Sequence, residues 1–300
     1  MTSLAWQAPG SRRPRADAAA RDAAIGDIDW TVPAPGSVSS FFPAPSGELA
    51  VVSLGDRALP RVVLVPGVTG SKEDFVLMLP LLAEAGFHVQ SLDLAGQYQS
   101  HAAGPDPGQP FTYDLFARDL IAFLQTGPPA HLLGYSFAGL VAQLVTVERP
   151  DLVRSLALLS TPPLPGNGFR GMKWLGPVTP FASGPVGAAL MIWGIMTNRN
   201  RVPPGRLEFV RSRFALTDRR SVEDVVALMK RAPDLRAPLR PLEIPKLVAA
   251  GTRDLWPARL HGRLADAIGA ELRVYRTGHS PSETAPHQLT ADLLDLYARA

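Results

Sequence analysis

A serine at the apex of a tight turn constrains the fold of this chain more than any other feature. Ala130–Gln143 reads AHLLGYSFAGLVAQ, an apolar run, a turn around Ser136, and a helix of small residues. The turn approximates the pattern G-x-S-x-G, which presents a serine between the end of a strand and the start of a helix. The residues two before and two after such a serine approach each other, so both must be small, as Gly134 and Ala138 are. A serine placed this way requires a base, an acid that orients the base, and two donors for an oxyanion.

Length and composition indicate a globular protein. The chain has 300 residues, enough for a substantial core, and 46% of them are hydrophobic. Its formal net charge is +3, and the basic residues are scattered among acidic ones, so we expect no nucleic acid as a partner. The most apolar run outside the predicted core, Val186–Thr197, is too short to span a bilayer. We therefore expect no transmembrane segment.

Cysteine is absent from the sequence. This excludes thiolate catalysis, disulfides and cysteine-ligated metals, and it is compatible with a reducing compartment. Residues 1–30 contain no apolar segment typical of a secretory signal, so we expect a cytoplasmic protein. The glycines form no dinucleotide or phosphate fingerprint, and we expect no cofactor and no metal.

Predicted strands and helices alternate with short connections along much of the chain. Such alternation is typical of a mostly parallel sheet flanked by helices. The predicted strands, in chain order, are Ser37–Phe42, Glu48–Leu54, Arg61–Val65, His88–Leu92, the apolar run before Gly134, Arg154–Ser160, Lys246–Ala250 and Glu271–Tyr275.

The alternation is interrupted after Thr161 and resumes only with the strand Lys246–Ala250. We therefore predict an α/β core formed by residues 31–160 and 244–300, with residues 161–243 inserted as a helical cap. Residues 1–30 are predicted to be a disordered or weakly ordered tail. The helix-like pieces of the insertion are Val186–Met196, Arg206–Phe214 and Ser221–Lys230.

Position along the chain selects a candidate base from the six histidines. In open α/β sheets, reactive groups lie at the carboxyl ends of the strands. His279 directly follows the strand Glu271–Tyr275 and is the favoured base, whereas His261 is placed on a helix surface. His101 and His287 remain the alternatives.

A candidate acid follows the neighbouring strand. Asp254 stands after Lys246–Ala250 in the same position that His279 occupies after the next strand, and we predict that it orients the imidazole. The alternative is that Asp254 only caps the helix near Ala258. Glu243 is the other candidate acid.

Two backbone amides are candidate oxyanion donors. Phe137 follows the serine at the N-terminus of a helix, and Val68 lies in the loop after a buried strand. Gly67 and Gly70 leave that loop free of bulk near a substrate. The alternative is that these glycines only shape a turn.

Five short motifs occur together in this chain. They are Val62–Gly67, Asp93–Gly96, Gly134–Gly139, Gly251–Asp254, and Gly278–Pro281 with Glu283. With them the chain, from about Ser37 to Arg299, resembles the α/β-hydrolase superfamily, in the branch with a serine nucleophile and a helical cap.

The resemblance implies a fold and roles for the candidate residues. The fold is the α/β-hydrolase fold, a mostly parallel sheet flanked by helices with a cap insertion. The order Ser136, Asp254, His279 is the triad order of that family. Val68 and Phe137 take the oxyanion roles.

Three departures from the family pattern weaken assignment to any one subfamily. Pro66 stands where many relatives have histidine, and Ala138 stands where glycine is usual. The turn Asp93–Ser100 lacks the arginine and the second glycine that are common there. None of the three removes a catalytic atom.

Acyl transfer is the reaction that such a triad implies. We expect a serine hydrolase of carboxylic esters or related small-molecule acyl substrates. Thioester, amide or carbon–carbon bond hydrolysis remains open, as does a catalytically silent ligand-binding protein. The serine at the turn argues against the relatives with an aspartate nucleophile, such as epoxide hydrolases.

Residues of the insertion are expected to set specificity. Its apolar side chains either form a lid over a lipophilic pocket or only pack the insertion onto the sheet. Four arginines are read as a solvated face, with an anionic head group as the alternative; they are Arg199, Arg201, Arg211 and Arg213. The apolar residues are Trp174, Leu175, Leu190, Met191, Ile192, Trp193, Ile195 and Met196.

Overall fold

A computed structural model of the chain describes residues 12–172 and 203–300, with side chains described from residue 17 onward. Within these ranges eight strands form one sheet. The strands are β1 Val38–Ala44, β2 Gly47–Leu54, β3 Arg61–Val65, β4 His88–Leu92, β5 Ala130–Tyr135, β6 Val153–Leu159, β7 Lys246–Gly251 and β8 Glu271–Tyr275.

The sheet is mostly parallel, as predicted. Its strand order is β1-β2-β4-β3-β5-β6-β7-β8. β1 and β2 form an antiparallel hairpin and β2 pairs antiparallel with β4, whereas β3 to β8 all run parallel. The central strands β3, β5 and β7 are buried along their whole length, which is why their sequences are mainly apolar.

Helices cover both faces of this sheet. The described helices are α1 Arg12–Ala23, α2 Met78–Glu84, α3 Tyr113–Leu124, α4 Phe137–Glu148, α5 Pro204–Leu216, α6 Arg219–Met229, α7 Arg236–Leu239, α8 Ala258–Ile268, α9 Pro281–Thr284 and α10 Pro286–Tyr297. One core layer contains residues of α3, α4 and α8, and the opposite layer contains residues of α2 and α10. The predicted α/β architecture is therefore confirmed. Among the described helices, none has the length and apolar character needed to cross a bilayer.

The turn between β5 and α4 is closely packed around Ser136. Ser136 has φ 53° and ψ −120°, and α4 begins at the next residue. A Cβ added to Gly134 would lie 2.5 Å from the carbonyl oxygen of Ala138 and 2.7 Å from the Cα of Gly139. Such contacts are shorter than van der Waals separation, so glycine is required at position 134.

The described part of the N-terminal tail lies against the core. The sequence predicts a disordered or weakly ordered segment over residues 1–30, whereas residues 12–23 form α1. Asp22 accepts hydrogen bonds from the backbone N–H groups of His287 and Gln288, at 2.8 and 3.2 Å. These groups belong to the first turn of α10, where a helix has unpaired N–H donors. Asp22 therefore caps α10 from outside and ties α1 to it.

Helices α5, α6 and α7 occupy the described part of the predicted insertion. The predicted pieces Arg206–Phe214 and Ser221–Lys230 correspond to α5 and α6, and the piece Val186–Met196 lies outside the described residues. The division of the chain into tail, core and cap stays a prediction.

A buried cluster of charges joins α5 to the core. Asp74 accepts hydrogen bonds from Arg206 and Arg213, each at 2.7 Å, and Arg206 also donates to Glu283 at 2.5 Å. The reading of Arg213 as part of a solvated face is wrong, because its side chain is 5% exposed. Burial opposes ionisation of Asp74, but the two guanidinium groups outweigh this effect and lower its pKa.

We predict opposite effects on stability for alanine at two glycines. Gly134→Ala forces a methyl group into backbone atoms and should lower the free energy of unfolding by more than about 2 kcal/mol. Gly262→Ala, inside α8 with its added Cβ 3.6 Å from Leu272, should raise it by about 0.5–1 kcal/mol. Urea unfolding of both variants measures the difference. Equal stability of the two would contradict the packing described for the turn.

Candidate active site

The carboxyl ends of β5 and β8 bring a serine and a histidine together. Ser136 follows β5 and His279 lies in the loop after β8. The Nε2 atom of His279 is 3.2 Å from the Oγ of Ser136. The backbone N–H of Ser136 donates to the carbonyl of Leu159 at 2.8 Å, which holds the turn against β6.

Asp254 completes a chain of contacts from the neighbouring strand end. Its Oδ1 lies 3.1 Å from the Nδ1 of His279. The loops that carry the two residues are aligned because β7–β8 pairing continues beyond the strands: Thr252 donates to the carbonyl of Tyr275 at 2.7 Å. Arg253 likewise donates to the carbonyl of Thr277 at 2.9 Å.

The electrostatic environment of Asp254 favours its ionised form. Burial by itself would raise the pKa of Asp254, but the charge and hydrogen bond of His279, together with the charge of His261, lower it below the usual 3.8. An ionised carboxylate only accepts hydrogen bonds, so Nδ1 of His279 carries the proton in this contact. When the imidazole is neutral, its Nε2 atom is the acceptor that faces Ser136.

Aromatic rings and a hydroxyl pair hold the His279 loop. The ring of Tyr135 lies 5.4 Å from the imidazole of His279, and that of Trp256 lies 5.9 Å from it. The hydroxyl of Tyr135 is 2.8 Å from the Oγ of Ser280. These contacts restrict the imidazole to the orientation that reaches both Ser136 and Asp254.

The two candidate oxyanion donors, Phe137 and Val68, lie on the segments that meet at the serine. Phe137 is the first residue of α4, and its N–H is among the donors that a helix leaves without an internal partner. Gly67 packs against the serine, because a Cβ added there would lie 2.9 Å from the Cβ of Ser136. Val68 is the next residue along this loop after β3.

The alternative base and acid candidates lie elsewhere. His101 is exposed and contacts the carbonyl of Tyr98, and the Nδ1 of His287 lies 2.8 Å from Asp22. Glu243 precedes β7 and therefore lies at the opposite end of that strand from Asp254. The structure does not bring any of the three into contact with Ser136.

His261 is the residue of this region that sequence reasoning missed. Its placement on a helix surface is wrong: its side chain is fully buried, and Nε2 lies 3.7 Å from the Oδ2 of Asp254. Its position one turn before Leu264 and Ala265, which are both buried, is the signal that could have placed it on the inner face of α8. Within the described ranges, no three His, Asp or Glu residues gather as metal ligands would.

Comparisons with known proteins identify one matching family and several relatives that match part of the chain. The family model described as "Alpha/beta hydrolase family" matches residues 62–293. Bifunctional epoxide hydrolase 2 of Rattus norvegicus is 30% identical over 125 residues, which cover 41% of this chain and 22% of that protein. The sn-1-specific diacylglycerol lipase ABHD11 of Mus musculus is 32% identical over 113 residues, covering 37% of this chain and 35% of that protein. The alignments thus span well under half of either relative.

A solved structure extends the similarity over most of the chain. A hydrolase from Pseudomonas aeruginosa superposes with a TM-score of 0.70 at 25% identity. The match covers 86% of this chain and 97% of that one.

We predict that the stability contributed by the Asp254 carboxylate depends on pH in a definite direction. The folded-state pKa of Asp254 is depressed, so its contribution is present above the unfolded value of about 3.8 and is lost as pH falls through the folded value. Asp254→Asn should therefore lower the free energy of unfolding most near pH 7, and the deficit should shrink on acidification. Urea unfolding from pH 7 to pH 3 measures this.

A surface carboxyl provides the control for that measurement. Asp114 is exposed and pairs with Arg118, and Asp114→Asn should change the free energy of unfolding by no more than about 0.5 kcal/mol at pH 7. A deficit of Asp254→Asn that stays constant or grows in acid would contradict the prediction.

Proposed function

This chain belongs to the alpha/beta hydrolase family, and from that premise we propose that it is a serine hydrolase of carboxylic esters or related acyl substrates. The observation that carries the proposal is the continuous chain of contacts from Ser136 through His279 to Asp254, at 3.2 and 3.1 Å. Its order along the sequence is the triad order of the family.

The proposed reaction starts at Ser136. Its Oγ attacks the substrate carbonyl carbon while its proton passes to Nε2 of His279. His279 then returns this proton to the leaving oxygen, and an acyl-enzyme remains on Ser136. Water, deprotonated by His279, attacks the acyl carbon; the imidazolium returns this proton to the Oγ of Ser136 as the bond to the acyl group breaks and the acid is released. Asp254 holds the imidazole in the required tautomer and stabilises its charged form.

Two amides supply the charge stabilisation in this proposal. The negative charge on the carbonyl oxygen develops beside the attacked carbon, within reach of a donor on each side of Ser136. The N–H of Phe137 at the start of α4 and that of Val68 on the loop after β3 are proposed for this role. The close contact of Gly67 with Ser136 supports it, because a side chain there would force the loop that carries Val68 away from the serine.

A lipophilic acyl group is the substrate feature that we propose. Val222 and Val226 of α6 are buried and pack with Val68 and Phe169, so apolar side chains lie next to a proposed oxyanion donor. The similarity to a diacylglycerol lipase agrees with a lipophilic substrate. The lid candidates from Trp174 to Met196 lie outside the described residues. The small-molecule nature of the substrate, like a cytoplasmic location, belongs to the same proposal.

We predict that an alkyl fluorophosphonate labels Ser136 in the native protein and that Ser136→Ala abolishes the labelling. The reagent places a phosphoryl oxygen where the oxyanion would form, so it reports an activated serine. Intact-mass measurement and peptide mapping locate the label. Absence of label in the folded wild-type protein, or equal labelling of the variant, would reject the serine hydrolase and favour a silent binding protein.

The bond that is cleaved is addressed by a substrate panel. p-Nitrophenyl esters of graded chain length, with matched thioesters and anilides, should be turned over by the wild-type protein and not by Ser136→Ala. We expect esters to be preferred and kcat/KM to rise with acyl length. Activity restricted to the acetate ester would count against the lipophilic substrate.

We predict that the two carboxyl candidates differ sharply in their effect on turnover. Asp254→Asn should reduce kcat by about 10³- to 10⁴-fold, because the imidazole loses the partner that fixes its tautomer. Glu243→Gln, at the other end of β7, should leave kcat unchanged. Steady-state kinetics on the best ester of the panel measures both. A larger loss for Glu243→Gln would reverse the assignment of the acid.

A further inference from the structure

The segment Asp93–Ser100, which follows β4, is hydrogen-bonded to the loop that carries Val68. This is the turn in which the sequence departs from the family pattern. Asp93 accepts a hydrogen bond from the backbone N–H of Lys72 at 2.7 Å. Gln97 accepts one from the backbone N–H of Thr69 at 2.9 Å. The turn therefore holds the loop after β3 at two points, one of them directly beside Val68.

The segment Gly67–Gly70 of this loop is a β-turn with an unfavourable residue at its third position. The N–H of Gly70 donates to the carbonyl of Gly67 at 3.0 Å, so Val68 and Thr69 are the central residues. Thr69 has φ 60°, and Val68 does not share this positive sign, which is the type II pattern. Type II turns favour glycine or asparagine at their third position. A β-branched threonine there is strained and needs support from its surroundings.

The side chain of Gln97 is oriented so that it gives this support. A backbone N–H can only donate, so the atom facing Thr69 is the amide oxygen Oε1. The amide nitrogen Nε2 then donates to the Oγ of Ser221 on α6, at 2.7 Å. Ser221 can accept because its own proton has partners in the carbonyls of Gly96 and Asp218. Gln97 and Ser221 are both buried, so neither bond is shared with bulk water.

We propose that Gln97 is a positioning residue: by accepting the N–H of Thr69 it anchors the loop one residue after Val68 and thereby holds the backbone N–H of Val68 in place for the oxyanion. The inference rests on the proposed function, since it assigns a purpose to the loop only if Ser136 attacks a carbonyl. Without the Oε1 acceptor, the N–H of Thr69 is buried and unpaired, and relief of the strain at Thr69 shifts the backbone on either side of it, including Val68. The fraction of molecules with a preorganised Val68 donor then falls.

Three variants separate positioning from general stability. Gln97→Met removes both hydrogen bonds at nearly constant volume. Gln97→Glu keeps an oxygen acceptor for Thr69. Ser221→Ala is the matched control, because it breaks a buried bond of the same side chain and leaves the contact with Thr69 in place.

The readout is inactivation by an alkyl fluorophosphonate, resolved into kinact and KI, with melting temperature measured in parallel. We expect Gln97→Met to lower kinact by about 10- to 100-fold and to leave KI within about 3-fold, because only stabilisation of the developing charge is lost. Gln97→Glu and Ser221→Ala should keep kinact within about 3-fold of wild type. If Gln97→Met does not melt cooperatively, Gln97→Asn, whose amide is too short to reach Thr69, replaces it with the same expected loss.

Two results would overturn the inference. One is a kinact for Gln97→Met, or for its replacement, within about 3-fold of wild type. The other is a loss in Ser221→Ala or Gln97→Glu as large as that in Gln97→Met, which would indicate a general structural role. Failure of the proposed function is distinguishable from both, because the wild-type protein would then acquire no label at Ser136.

Discussion

Backbone-to-backbone packing around Ser136 is the constraint on which the rest of the site depends. Gly134 lies against the Ala138 carbonyl, and Gly67 lies against Ser136 itself. With a side chain at Gly134 the turn from β5 into α4 could not close, and with one at Gly67 the loop after β3 could not approach the serine. The turn presents Ser136 to His279, and the loop that approaches it continues from Gly67 to Val68. The strained φ of 53° at Ser136 persists because β6 and α4 hold the residues around it.

Buried polar groups then connect this packed centre to the elements that surround it. Asp254 reaches Ser136 only through His279, so the pairing of β7 with β8 sets the geometry of the whole chain of contacts. On the other side of the serine, Asp74 and Gln97 join the loop after β3 to α5 and α6, through Arg206 and Ser221 respectively. Helices of the predicted cap are thus bonded to the loop that we propose to stabilise the oxyanion. A buried charge left without its partner is costly, so these links are also expected to fix where α5 sits.

Much of this arrangement could be predicted because it follows from local patterns. The predicted strands placed the carboxyl ends of β5, β7 and β8 at the same end of the sheet, and Ser136, Asp254 and His279 follow those ends. The long-range polar contacts could not be predicted, since nothing local marks Arg213 as a buried partner of a residue 139 positions away. The same holds for α1, whose residue Asp22 is bonded to the first turn of α10. His261 shows a third limit, because a histidine beside an apolar stripe reads equally as surface or as core.

The central claim, a covalent acyl-enzyme on Ser136, is tested most directly by stopping turnover of a p-nitrophenyl ester in acid and measuring the intact mass of the protein. The account predicts a mass increase equal to the acyl group, located by proteolysis on the peptide that contains Ser136 and absent in Ser136→Ala. Turnover that depends on Ser136 but leaves no acyl group on the protein during a burst of p-nitrophenol would contradict it. An acyl group on any other residue would contradict it as well.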